Sequence, residues 1–210
     1  MSPVQWIAAG LALAAFAVVC VPLAVTRIEN RQARAVASME PYAGPVGQTQ
    51  TAVVYFSRSG NTALAARHVA RRLNARLIEL RATDYDLGLA GWVKAMRDAR
   101  GHGADIVPRI VDLAGIDTVY LGAPVWLYSP APPIWAFVEN NRFDGRRVVL
   151  FNTFNSQFKP EFIAQFEARV MARGAASFEQ LSIRRGRMTD QITPQDMVRA
   201  IDAEWLPATD

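Results

Sequence analysis

Residues 53–62 read Val53-Val54-Tyr55-Phe56-Ser57-Arg58-Ser59-Gly60-Asn61-Thr62, an apolar run that breaks into a hydroxyl-rich turn. Ala52 to Phe56 has the composition of a short buried strand, and Thr62 to Leu73 carries helical periodicity, so the turn joins a strand to a helix. A phosphate suits such a turn. Free N–H groups at a helix start point at the ligand, the helix dipole favours negative charge, and Ser57, Ser59 and Thr62 add hydroxyl donors. Gly60 lets the backbone approach closely. Arg58 and Asn61 lie inside the same turn, Arg58 facing either a phosphate or solvent. An ordinary strand-to-helix connection with a Ser or Asn cap has a similar composition, so the turn alone leaves both readings open.

Downstream, strands and helices alternate. Arg76–Leu80, Asp117–Leu121, Arg147–Phe151 and Ser177–Ile183 read as further strands, with helices expected over 132–140, 160–173 and 194–205. Pro160 and Pro194 each stand where a first helical residue is expected, and Thr193 is placed to cap the last helix. Five strands interleaved with helices imply an α/β fold, a parallel sheet covered by helices on both faces in three layers. No internal repeat or low-complexity tract interrupts it.

The loop after the third strand, Leu121-Gly122-Ala123-Pro124-Val125-Trp126-Leu127-Tyr128-Ser129-Pro130, lies where open α/β sheets bind ligands, at a carboxyl end. Pro124 and Val125 shape its backbone, while Trp126 and Tyr128 offer flat surfaces to a heteroaromatic ring; a pair of core aromatics is the competing reading. After the fourth strand, Phe151-Asn152-Thr153-Phe154-Asn155-Ser156-Gln157-Phe158 offers amide and hydroxyl groups to a polar ring edge.

The first turn resembles the phosphate loop of flavodoxin-like proteins, Ser/Thr-x-Ser/Thr-Gly-x-Thr, with Ser57, Ser59, Gly60 and Thr62 at its defined positions. The second loop is similar to that family's Gly-x-Pro-x-Trp-Trp segment, with Leu127 in place of the second Trp, which leaves Trp126 as the better stacking candidate. The third departs from the family by lacking glycine. The resemblance covers about residues 51–206. It implies a flavodoxin-like sandwich with sheet order 2-1-3-4-5 and FMN bound by Ser57, Arg58, Ser59, Gly60, Asn61, Thr62, Pro124, Val125, Trp126, Leu127, Tyr128, Thr153, Phe154, Asn155 and Ser156. Residues 84–108, with Trp92 among them, then serve either as a lip over the flavin or as a solvated amphipathic helix. A nucleotide P-loop and a dinucleotide fingerprint are both disfavoured, since neither the Lys-Ser/Thr pair nor Gly-x-Gly-x-x-Gly is present.

Trp6 to Val25 is twenty residues without a charge, long enough to cross a hydrocarbon core of ~30 Å. A signal peptide would need a basic start and an apolar stretch of ~7–15 residues, and this segment has neither. Residues 1–28 are therefore expected to be a single transmembrane anchor, 29–50 a linker rich in Pro and Gly, and 51–210 the folded domain. Arg27, Arg31 and Arg34 follow the span and no Lys or Arg precedes it, which places the domain at the cytoplasmic face of the inner membrane, N-out and C-in.

Composition narrows the function classes. The net charge is a mild +4, and no basic face or aromatic-spaced basic stripe suggests nucleic-acid binding. One cysteine, Cys20, and two histidines, His68 and His102, provide no set of ligands for zinc or an iron–sulfur cluster. The expected function is an electron-transfer flavoprotein serving a redox protein or a quinone. The alternatives are an NAD(P)H:quinone-type reductase and a flavin-less interaction module on the same fold.

Overall fold

The computed structural model describes residues 2–39, 41–186 and 190–206, with the side chains of 12–15 and 17–19 outside the description. A long helix, α1 (Pro3–Ala37), precedes β1 (Thr51–Phe56), α2 (Asn61–Arg72) and β2 (Arg76–Leu80). A short 3-10 turn at Thr83–Tyr85 leads into α3 (Leu89–Asp98). Then come β3 (Thr118–Trp126), β4 (Ser129–Pro130), α4 (Pro132–Asn140), β5 (Arg147–Phe154), α5 (Pro160–Ala172), β6 (Ser177–Arg184) and α6 (Pro194–Glu204).

The strands lie in the order β2-β1-β3-β5-β6, all parallel, with β4 paired antiparallel to the end of β3. The central strands are mostly apolar and largely buried because helices cover both faces. In β1, Ala52, Val54 and Phe56 join one core while Val53 and Tyr55 join the other, the period-two alternation of a strand. Phe137, Phe143 and Phe166 fill the first core; Leu64, Met197 and Ile201, from α2 and α6, fill the second. Helix α6 starts as read from the sequence: the Thr193 hydroxyl accepts from the Asp196 N–H at 3.0 Å, and Pro194 is the first helical residue.

Two expectations about the fold are corrected. The sheet has six strands rather than five, because β3 continues to Trp126 and turns back at once into β4, pairing Trp126 with Ser129 and Val125 with Pro130. Leu127 and Tyr128 make this two-residue turn with φ of 42° and 79°. Turns of that kind are usually signalled by Asn-Gly or Asp-Gly, and a bulky residue at positive φ is strained, so the sequence carries no cue for it.

The second correction concerns the anchor. Among the described residues no helix is long and apolar enough to cross a membrane. That finding overturns the transmembrane span over 1–28 and, with it, the inner-membrane N-out/C-in localisation. Part of the expected span, the side chains of 12–15 and 17–19, lies outside the described residues. Helix α1 instead runs unbroken past residue 28, through the boundary expected with the linker, and its far end packs on the domain. Val36 is buried in the second core, the Val36 carbonyl accepts from Arg67, and Gln32 is hydrogen-bonded to Asn61 of α2. The stripe Val25, Ile28, Glu29, Gln32, Val36 has the spacing of one helix face.

Candidate functional site

A cavity of about 290 Å³ opens beyond the carboxyl ends of β1, β3 and β5. That is the position at which open α/β sheets take ligands, and the volume is near the lower end of small-molecule sites, ~300–1,000 Å³. The turn after β1 forms its floor with Ser57, Arg58, Ser59, Asn61 and Thr62. The Ser57 hydroxyl accepts from the Gly60 N–H at 3.1 Å, and Gly60, at φ 94°, turns the chain into α2. A side chain at Gly60 would be strained by that φ and would meet Val36 at 3.0 Å. No side chain caps α2, and its first turn holds no acidic residue, so the donors of the helix start are left for an anion. Buried Thr62 reaches across to Thr153 at the end of β5, their hydroxyl oxygens 2.8 Å apart.

One wall comes from the β3–β4 hairpin: Pro124, Val125, Trp126 and Leu127 line the cavity. Trp126 is only 9% exposed, with Phe56 and Tyr85 packed nearly perpendicular to it at 5.6 and 5.2 Å. It is thus chiefly a core aromatic with one margin on the cavity. Burial, and next the neighbouring Asp98 carboxylate, push the Tyr85 hydroxyl pKa up to about 12. Trp92, Ala95 and Met96 of α3 supply the facing wall, so part of segment 84–108 does stand over the site. Thr153, Phe154 and Asn155 close the β5 end.

The structure brings together twelve of the fifteen sequence-named residues. Gly60 shapes the turn without lining the cavity. Tyr128 does not reach it, because its left-handed backbone turns the ring toward Lys159 and Arg100, whose cationic groups lie 5.5 and 5.9 Å from the ring centroid. Ser156 is exposed beyond the rim. Arg58 neither faces solvent nor stands free for an anion: its side chain is 4% exposed and ion-paired with Glu29 of α1. It also donates to the carbonyls of Tyr85 at 3.1 Å and Gly88 at 3.0 Å.

Sequence reasoning missed the roof and one corner. Val25, Ile28, Glu29 and Gln32 of α1 cover the cavity, and Arg185 and Gln191 enter from beyond β6. The helical spacing of the α1 stripe was a usable signal, and so was the position of Arg185 directly after a parallel strand. Arg185 is 6% exposed; its Nε donates to the Asn61 side-chain carbonyl at 3.1 Å, and burial holds its guanidinium below the ordinary arginine pKa. Its Nη1 is buried with no hydrogen-bond partner among the described residues. A hydroxyl-lined helix start beside an unanswered buried cation is a donor set that fits a phosphate monoester.

A family model for flavodoxin matches residues 50–161. None of the curated proteins matches the chain. Among solved structures, the chain is similar to a protein of Bacteroides uniformis assigned as a flavoprotein, at 22% identity and TM-score 0.53, over 74% of this chain and 99% of that one. It is similar to a protein of Bacteroides eggerthii with the same assignment, at 17% identity and TM-score 0.52, over 74% of this chain and 98% of that one. A flavoprotein of Lactobacillus acidophilus in complex with FMN follows, at 18% identity and TM-score 0.50, over 63% of this chain and 93% of that one. At such identities the likeness is one of fold.

Proposed function

From the premise that this chain belongs to the flavodoxin family, we propose that it is an electron-transfer flavoprotein. FMN is its cofactor. The observation that carries the reading is the uncapped, acid-free start of α2 opening into the cavity at the carboxyl ends of β1, β3 and β5.

The N–H groups at the start of α2, with the hydroxyls of Ser57, Ser59 and Thr62, are the groups to hold the phosphate. Thr62 is kept in place by its contact with Thr153. Trp92, Pro124, Val125 and Leu127, with the exposed margin of Trp126, bound the slot for the flavin ring. The strained Leu127–Tyr128 turn carries Leu127 into the wall of that slot, and backbone strain is commonly held at functional sites. When bound, FMN supplies the redox chemistry, and the protein's part is to bind and orient it and to set its electrostatic surroundings. The ionisable groups of the wall are Glu29, Arg58 and Arg185, and the first two are paired with each other. Electron exchange needs no proton-transferring side chain at the ring, which favours a carrier serving a redox protein or a quinone over an acid–base enzyme.

Carrier and reductase separate by kinetics. The FMN-loaded chain mixed anaerobically with NADH or NADPH is expected to bleach far more slowly than enzymatic turnover, ~1–10³ s⁻¹, and to be reduced quickly only when a separate reductase is added. Reduction by NAD(P)H alone within that range would replace the carrier reading by the NAD(P)H:quinone-type reductase.

A further inference from the structure

The backbone of Arg185 is held from both sides. Its N–H donates to the Phe154 carbonyl at 2.7 Å, and its carbonyl accepts from the Ile192 N–H at 3.0 Å. Gly186 then turns the chain at φ 95°, where a side chain would collide with the Asp190 carbonyl. The guanidinium is thereby delivered to the first turn of α2, one hydrogen bond from Asn61. Gln32 holds Asn61 from the other side, accepting from its amide at 3.3 Å, and itself donates to Gln191 at 2.5 Å.

This network orients Arg185 without neutralising it, because its described members are carboxamides. Arg58, the other cation of the wall, has the Glu29 carboxylate. Arg185 has no ion-pair partner among the described residues, and its buried Nη1 has no acceptor. A buried, unanswered charge is unfavourable unless an anion completes it. Loops that take a phosphate on hydroxyls and N–H groups alone donate neutral hydrogen bonds, whereas a guanidinium adds a charge-assisted and often bidentate one.

We propose that Arg185 is the cation that binds the phosphate monoester of the cofactor and so makes the site select the phosphorylated flavin over the unphosphorylated one. This rests on the flavin reading above. Glu29 removes Arg58 from that task, so the charged partner of the phosphate comes from one side chain beyond β6, while the turn after β1 supplies its neutral donors.

The test is a fluorescence titration of the full-length apoprotein with FMN and with riboflavin, for the parent, Arg185→Gln and Arg185→Lys. Arg185→Gln is expected to weaken FMN about 10- to 100-fold, as for a lost hydrogen bond to a charged group, and to leave riboflavin unchanged. Arg185→Lys keeps the charge and should recover most of the FMN affinity. Equal weakening of FMN and riboflavin by Arg185→Gln, or an unchanged ratio between them, would overturn the assignment. If Arg185→Gln does not fold, Arg185→Lys decides: FMN weakened a few-fold with riboflavin untouched supports the proposal, and both shifted alike contradicts it. Inorganic phosphate separates this claim from the flavin reading. A parent that binds no FMN removes that reading, while thermal stabilisation by phosphate that vanishes in Arg185→Gln still supports the anion site, and no stabilisation in either protein removes it as well.

Discussion

Replacing Ser59 by aspartate is expected to abolish FMN binding at working concentrations while leaving the fold intact. Ser59 lines the cavity between Ser57 and the start of α2, so the substitution puts a carboxylate where the phosphate is assigned. Two anions would then compete for one set of donors. In a half-buried site of effective dielectric ~20, like charges at ~4 Å repel by about 4 kcal/mol, a loss of about a thousandfold in affinity. The helix should tolerate the change, since an acidic residue near an N-terminus interacts favourably with the dipole and caps free N–H groups. Circular dichroism of Ser59→Asp should therefore match the parent while its FMN titration is flat; binding at the parent's affinity would mean that the phosphate sits elsewhere.

Glu29→Gln is expected to act oppositely on the empty and loaded protein. Arg58 is almost fully buried and loses its only carboxylate partner among the described residues, and removing one partner of a buried ion pair costs about 3–5 kcal/mol. The carbonyls of Tyr85 and Gly88 remain as acceptors, which places the loss near 3 kcal/mol, about 6–12 °C in the unfolding midpoint for a chain of this size. The same substitution removes a negative charge from the cavity wall, so FMN should raise the midpoint of the variant by more than it raises that of the parent. Thermal melts with and without FMN check both halves. An unchanged midpoint in the apoprotein would show that α1 does not pack on the turn after β1.

The turn from Ser57 to Thr62 was legible because its chemistry is local: a strand, a glycine and three hydroxyls within a few residues leave few alternatives. The five long parallel strands were legible for a related reason, since each is an apolar-rich run between helical patterns, whereas their order was implied only by the resemblance to flavodoxin-like proteins. What the sequence hid depends on contacts far apart in the chain. Leu127 and Tyr128 form a tight turn with no turn residue in it, because the hairpin is imposed by the packing of Trp126 against Phe56 and Tyr85. The apolar stretch from Trp6 to Val25 dominates any reading by hydropathy, and it concealed that the same helix continues with Glu29, Gln32 and Val36 aimed at the domain. Arg185 is one of many arginines and acquires meaning only when β6 carries it to Asn61, 124 residues away in the chain.

The measurement that bears most directly on the account is the visible absorption of the full-length protein after addition of FMN and removal of the excess. The account predicts a yellow protein that retains about one FMN per chain, with flavin bands shifted from those of free FMN by the apolar walls around Trp92 and Trp126. A colourless protein that leaves all added FMN in the filtrate, while circular dichroism shows it folded, would contradict it.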